Sequence, residues 1–275
     1  MIIIGEKINA TRKSIAKAIH SHDKEAIKTQ IEKQDKAGAH YIDLNAGTGT
    51  GDKDKEISDM KWLIDIAFET TEKSLSIDSD NPDIIEKAAE YINKKRPWII
   101  NSVKNDDHIL DSLLPLAAEH GAGIIALAMG AEGIPNTPED RLLVCHELHK
   151  KTEKAGIPED KIFFDPLVMP ISASYGCAKI TLDTLTKVKK EFPGAKTTMG
   201  VSNVAFGLLK RSKVNGALII SAITHGLDSA ICDPTKKSIR QAILLGELIS
   251  GKDRHCRKYI RAVRNGEFDE PKKSK

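Results

Sequence analysis

The sequence predicts a single (β/α)8 barrel, and three observations carry that prediction. Short apolar runs alternate with amphipathic segments along the chain, the order that gives parallel strands joined by crossover helices. Eight such units fit within 275 residues, the count and the length that close one barrel. Asp and Asn recur just after the apolar runs, in YIDLNAG, SLSIDSDN, WIINS, IFFDPLVMP and MGVSNV. An apolar run reads as a buried parallel strand, so these polar residues fall on the carboxyl edge of the sheet, where barrels and open α/β folds bind ligands.

Taken in order, residues 2–4 form the first strand, and 21–36 a polar-faced helix ended by Gly38. Residues 39–44 are the second strand. The helix at 55–72 shows Met60, Leu63, Ile64, Ala67 and Phe68 at helical spacing. A strand at 74–77 precedes a helix over 82–93, with Asn81 as cap and Pro82 in the first turn. Residues 98–100 make the fourth strand, 106–120 a helix closed by Gly121, and 122–129 the fifth strand. Thr137–Pro138–Glu139–Asp140 joins a cap, a proline and acidic residues at the start of a helix running to about 155. Strands at 161–164, 197–201 and 227–231 alternate with helices at 180–192, 215–225 and 236–249. The barrel domain is expected to span 1–263, followed by a polar, basic, frayed tail over 264–275. An open doubly wound sheet is the alternative fold, but neither G-x-G-x-x-G after the first strand nor a G-x-x-x-x-G-K-[ST] loop is present.

Charge and composition narrow the function. The net charge is +3, with Lys and Glu interspersed, and aromatic residues are 4%, so neither a basic nucleic-acid surface nor a base-stacking platform is expected. No apolar stretch is long enough to span a membrane, and MIIIGE has no leader-like character, which predicts a cytoplasmic protein. Cys145, Cys177, Cys232 and Cys256 lack C-x-x-C spacing, and the nine histidines form no metal-ligand pattern; no metal site is expected.

The chemistry concentrates at the strand ends. Asp43, Asn45, Asp78, Asn101, Asp165 and Asn203 would face one mouth. Taken singly, each reads equally well as a helix or turn cap; corresponding positions on several strands make the set hard to explain as independent caps. Carboxylates and amides together suit a neutral heterocycle rich in hydrogen-bonding groups. Gly200 would allow close approach of a ligand, and Asn203 can both donate and accept. Ser202 or Asn203 could instead cap a helix. Arg211, within Lys210–Arg211–Ser212–Lys213, reads from sequence alone as part of a solvated basic face.

The ordered motifs GEKIN, YIDLNAG, SIDSDN, IINS, ALAMG with GIP, FFDPLVMP and GVSNV carry a resemblance over nearly the whole chain. The sequence resembles the pterin-binding methyltransferases, specifically the methyltetrahydrofolate:corrinoid protein methyltransferases of one-carbon metabolism, and is similar to the folate-binding region of cobalamin-dependent methionine synthase. The resemblance implies a pterin cup in which Asp78, Asn101 and Asp165 hold the amino-pyrimidinone edge, with Gly200, Ser202 and Arg211 also at the substrate site. It implies that Asn203 is catalytic beside N5, with Glu6, Asn9, Asp43 and Asn45 in support. It further implies tetrahydrofolate or 5-methyltetrahydrofolate as substrate, a cobalamin or other corrinoid supplied by a partner protein, and a homodimer. Phe206–Gly207 stand where members carry a Gln-Asn pair, so no polar folate contact is assigned to position 206. The rival readings are a dihydropteroate synthase-like pterin enzyme and a folate-binding module without catalysis; an aldolase-like barrel would want a strand-end Lys. The end of the last strand, Ala230–Ile231–Cys232–Asp233–Pro234, lacks the Arg or His that a phosphate-handling synthase would place there.

Overall fold

The computed structural model describes residues 1–269 except 48, 50 and 93. Eight strands, β1 (Ile2–Asn9), β2 (Tyr41–Asn45), β3 (Ser74–Asp78), β4 (Trp98–Asn105), β5 (Gly123–Gly130), β6 (Ile162–Asp165), β7 (Lys196–Thr197) and β8 (Ser229–Cys232), lie in the order β7-β6-β5-β4-β3-β2-β1-β8. All pairings are parallel, and β1 pairs with both β2 and β8. This consecutive order, with its two end strands β7 and β8 brought together, removes the open doubly wound alternative. The seam between β7 and β8 is closed by a single backbone bridge, Gly200 to Ile231, with Ile231 N–H donating to Met199 O at 2.9 Å, and by side-chain bonds of Thr197 to Asp228 and Thr198 to Ser229.

Ten helices surround the strands among the described residues: α1 (Lys13–His20), α2 (Lys24–Lys36), α3 (Lys53–Thr70), α4 (Pro82–Ile92), α5 (Asp107–His120), α6 (Pro138–Lys154), α7 (Cys177–Glu191), α8 (Arg211–Thr224), α9 (Lys237–Ile249) and α10 (Arg257–Arg264). Their starts follow local chemistry. Asp23, Asp52, Asp106 and Thr137 each accept a hydrogen bond from a backbone N–H in the first turn of α2, α3, α5 and α6. Asn81 accepts from Asp83 N–H at the start of α4, at 3.1 Å. No described helix is long and apolar enough to cross a membrane.

The structure departs from the sequence expectations in several places, beginning with β1 and β4, expected at 2–4 and 98–100, which run on to Asn9 and Asn105. The helix expected at 21–36 begins at Lys24, where Asp23 caps it, and a separate helix that was not expected, α1, precedes it. The strand expected at 197–201 ends at Thr197, and 201–203 turn as a 3-10 helix. α8 begins at Arg211 rather than near 215. α10 was not expected at all, and residues beyond it do not fray at once: Arg240 pairs with Glu267 at 2.7 Å and Phe268 packs on Tyr259. Residues 270–275 of the expected tail lie outside the described residues.

The barrel interior begins with an apolar layer. Ile4, Ile99, Ile125 and Phe163 pack together, with Tyr41, Leu127 and Ile231 against them. Side chains two residues apart on a strand share a face. The next inward positions are therefore Glu6, Asp43, Asn101, Leu127 and Asp165, and the polar residues sit directly above a sealed apolar floor. Two irregularities adjust this layer. Between Gly5 and Ile8, β1 carries one residue more than β2, and Lys7 N–H donates to the buried Gln34 Oε1 at 3.0 Å. β4 carries an extra residue just after Asn101. Bulges at a barrel rim re-aim side chains.

Candidate active site

A cavity of about 750 Å³ opens at the carboxyl end of the strands. It is lined by Glu6, Asn9, Asp43, Asp78, Asn101, Asp165, Gly200, Ser202, Asn203 and Arg211 among others, so ten of the eleven residues expected at the site meet in it. Asn45, the eleventh, stands behind the wall and donates its Nδ2 to Asp78 Oδ2 at 3.0 Å.

The floor is a set of linked acids and amides. Asn101 Nδ2 donates to Asp43 Oδ1 at 3.1 Å, and Asn9 Nδ2 reaches Asp78 Oδ2 at 3.5 Å. Asp165 Oδ1 accepts the Leu167 N–H at 2.7 Å. Burial dominates their acidities. It pushes Asp165 up to about 7 against the opposing pull of the Leu167 N–H and of Arg141. It raises Asp78 to about 6, with the Asn45 amide opposing. Asp43 is raised well above the ordinary carboxylate range by burial and then by the charge of Asp78, with the Asn101 amide opposing. Burial therefore holds all three floor carboxyls above the ordinary carboxylate range.

One side of the cavity is a polar strap. Ser202 Oγ donates to Glu6 Oε1 at 2.8 Å, and Arg12 Nη2 pairs with the same oxygen at 3.0 Å. Arg211 Nη2 donates to Ser202 O at 2.8 Å. Arg211 is thus tied to the site, not merely part of a solvated basic face. Burial raises the Glu6 carboxyl, with Ser202 and Arg12 opposing. Asn203 is exposed at the rim. It does not cap α8, whose start has no side-chain cap. A Cβ on Gly200 would stand 3.2 Å from Asn203 Nδ2, so the close approach that this glycine allows is made by the chain's own amide. Phe206 also lines the cavity, with the Arg211 guanidinium 5.9 Å from its ring centre.

Sequence reasoning missed Arg12, Thr11, Ile134 and Arg141. Arg12 follows the GEKIN motif and enters the cavity only because β1 runs on to Asn9. Arg141 lies in a helix that reads as surface yet is buried. Among the described residues, no group of three or more His, Cys, Asp or Glu is arranged to hold a metal ion.

Comparison with known proteins places this geometry. A family profile described as pterin binding enzyme matches residues 5–233. The chain is similar to a methylcorrinoid:tetrahydrofolate methyltransferase of Eubacterium limosum, 34% identical over 270 residues and 98% of both chains. It is 27% identical over 249 residues to a methionine synthase of Mycobacterium tuberculosis, covering 86% of this chain but only 20% of that longer protein. Among solved structures it superposes on a Yersinia pestis DHPS solved with a pterine–sulfa conjugate, with a TM-score of 0.68, 15% identity and coverage of 91% and 94%. It also superposes on a Coxiella burnetii dihydropteroate synthase in complex with pteroic acid, with a TM-score of 0.63, 18% identity and coverage of 90% and 93%. At those identities the two structures establish the shared barrel fold. The profile match over most of the chain, together with the full-length relative, establishes that the chain belongs to the pterin-binding enzyme family.

Proposed function

We propose that this protein moves a methyl group between N5 of tetrahydrofolate and the cobalt of a corrinoid carried on a separate protein. The observation that carries the reading is Asp78, Asn101 and Asp165 together on the cavity floor with Asn203 at its rim. A reduced pterin presents N–H donors and a carbonyl acceptor along one edge. Carboxylates accept from the donors, and an Asn amide can both donate and accept. The full-length relative named methylcorrinoid:tetrahydrofolate methyltransferase supports the same reading.

In this reading Asp78, Asn101 and Asp165 anchor the ring, and Gly200, Ser202 and Arg211 shape the side facing Asn203. Glu6, Asn9, Asp43 and Asn45 hold these groups in place. The corrinoid supplies the cobalt that gives or takes the methyl group; this chain's residues bind, orient and stabilise charge. A tertiary amine leaves poorly until N5 becomes more positive. The Asn203 Oδ1 accepting from a protonating N5 strengthens as that charge develops, so it favours the transition state over bound substrate. Anchoring at the floor keeps N5 directed toward the rim.

The cavity suits a pterin-sized molecule. The larger corrinoid would stay on its own protein and meet the rim, where Ile171, Tyr175, Phe206 and Leu209 are exposed. The two loops that bear them are joined by Ile171 N–H to Val204 O at 3.1 Å and Ser172 Oγ to Phe206 O at 2.7 Å. Lys210 and Lys213 border this ledge, which suits an apolar partner surface with an acidic edge. A homodimer belongs to the same proposal, with exposed Ile249, Ile260 and Val263 on α9 and α10 as the apolar side available to it; a monomeric mass by sedimentation at micromolar concentration would remove it. A dihydropteroate synthase-like reaction is disfavoured at the end of β8, where Asp233 holds a carboxylate beside Lys7 at 3.2 Å and would repel a phosphate.

The test is a spectroscopic assay with cob(I)alamin and 5-methyltetrahydrofolate, run also in reverse from methylcobalamin and tetrahydrofolate. Transfer in either direction supports the reading. Folate binding without transfer to either free or protein-borne corrinoid would leave a binding module.

A further inference from the structure

Arg141 is buried in the first turns of α6, at the end of a helix where a cation is disfavoured. Its guanidinium takes backbone carbonyls as partners: Nε donates to Pro135 O at 2.9 Å, and Nη1 to Pro166 O at 2.6 Å and Leu167 O at 3.0 Å. A buried cation satisfied by carbonyls rather than a carboxylate is costly to hold. Its position explains the cost. Pro135 lies in the connection after β5, beside Ile134 of the cavity wall, and Pro166–Leu167 follow β6 and lead into Val168 and Met169 of the same wall. One side chain therefore ties together the two loops that bound the cavity next to Asp165.

The consequence for Asp165 is geometric. Leu167 is held in the left-handed region, at φ 65°, by Arg141 and by Thr181 Oγ1, which donates to Leu167 O at 2.8 Å. In that conformation the Leu167 N–H reaches back to Asp165 Oδ1. The Gly200 N–H also bonds this carboxyl, so the group is held in one orientation at the cavity wall. We propose that Arg141 is a positioning residue for Asp165: by tying Pro135 O to Pro166 O and Leu167 O it fixes the turn whose Leu167 N–H orients the carboxylate that meets the pterin. The groups facing this carboxyl are the Leu167 and Gly200 N–H, Arg141 itself and the thiol of Cys145, with Cys177 facing Arg141. Burial pushes Cys145 up to about 12, so it stays neutral and Arg141 is the cation that opposes burial.

The inference takes its ligand from the folate reading, and two measurements separate the two. The first is the titration of the Asp165 carboxyl carbon by NMR in the ligand-free parent, Arg141→Lys and Arg141→Met. Loss of the charge in Arg141→Met moves the midpoint up by about one pH unit, and Arg141→Lys leaves it near the parent value. The second is the dissociation constant of 5-methyltetrahydrofolate between pH 5.5 and 8.5. In Arg141→Met the acid limb of binding moves up with the carboxyl midpoint. In Arg141→Lys the limb stays, but affinity falls about tenfold at every pH, because an ammonium cannot span Pro135 and Pro166. Superposed titrations and binding curves in folded variants would overturn the role of Arg141. A parent that binds no folate while the carboxyl midpoint still moves would overturn the ligand and keep the positioning. Should Arg141→Met not fold, Arg141→Lys decides: affinity equal to the parent's at every pH sinks the proposal.

Discussion

Asp165 is buried at the expense of stability. An ordinary Asp releases its proton near pH 3.8, and burial moves this one to about 7. The folded chain thus holds a proton that the unfolded chain has already released between those values. The contribution to stability is largest below pH 4, falls as pH rises to about 7, and stays at its minimum above. Asp165→Asn removes this liability while keeping an acceptor for the Leu167 N–H. Urea denaturation at pH 4.5 and pH 8 is expected to show the variant gaining on the parent at the higher pH, on the order of 2–4 kcal/mol as a ceiling; an equal difference at both pH values would mean that Asp165 titrates like an unfolded Asp. Asn203 is predicted to behave oppositely. Being exposed, it contributes little to the fold, and Asn203→Ala should lower kcat about 10²- to 10³-fold while the folate Kd moves much less. A kcat within twofold of the parent would remove Asn203 from the chemistry. Both residues were legible in the sequence because each follows an apolar run. Arg141 was not, since bonds to backbone carbonyls leave no partner residue type to look for.

Elements show where pattern reading meets its limit. The TTMGVSN segment alternates well enough to read as a strand through Val201, yet the ladder stops at Thr197. The chain must turn there to lift Asn203 to the rim, and nothing in the alternation says so. α1 and α10 were missed for a related reason: each is eight residues long and has no side-chain cap, so the usual start signals are absent. The turn at 200–203 also gives a sharp prediction. Gly200 has φ −78°, which alanine adopts freely, but its added Cβ would crowd Asn203 Nδ2 at 3.2 Å. Gly200→Ala is therefore expected to lower methyl transfer about tenfold by displacing that amide, with little change in melting temperature. A large loss of thermal stability with unchanged transfer would show that the glycine serves the fold instead.

At the scale of the molecule, the barrel and the gathering of acids and amides at its mouth were legible because eight strand–helix units leave few topologies open. The proposed partner surface was not, because exposed Tyr175 and Leu209 look like any other loop residues until two loops are seen joined. Replacing either with Asp should raise the KM for a protein-borne corrinoid several-fold, while folate affinity and the rate with free corrinoid stay as they were. Equal loss with free and protein-borne corrinoid would place these residues in the folate site instead.

The barrel also resembles a garment with seven seams sewn as backbone ladders and one with a single backbone stitch, tacked below it by Thr197 to Asp228 and Thr198 to Ser229. Gly200 and Ile231 make that stitch, directly beneath Asn203. Thermal breathing should part the wall there first. A folate seated across the mouth would act as a clasp, so the Ile231 amide is expected to exchange with deuterium fast in the empty protein and slowly in the filled one. The substrate would then finish the cylinder that receives it.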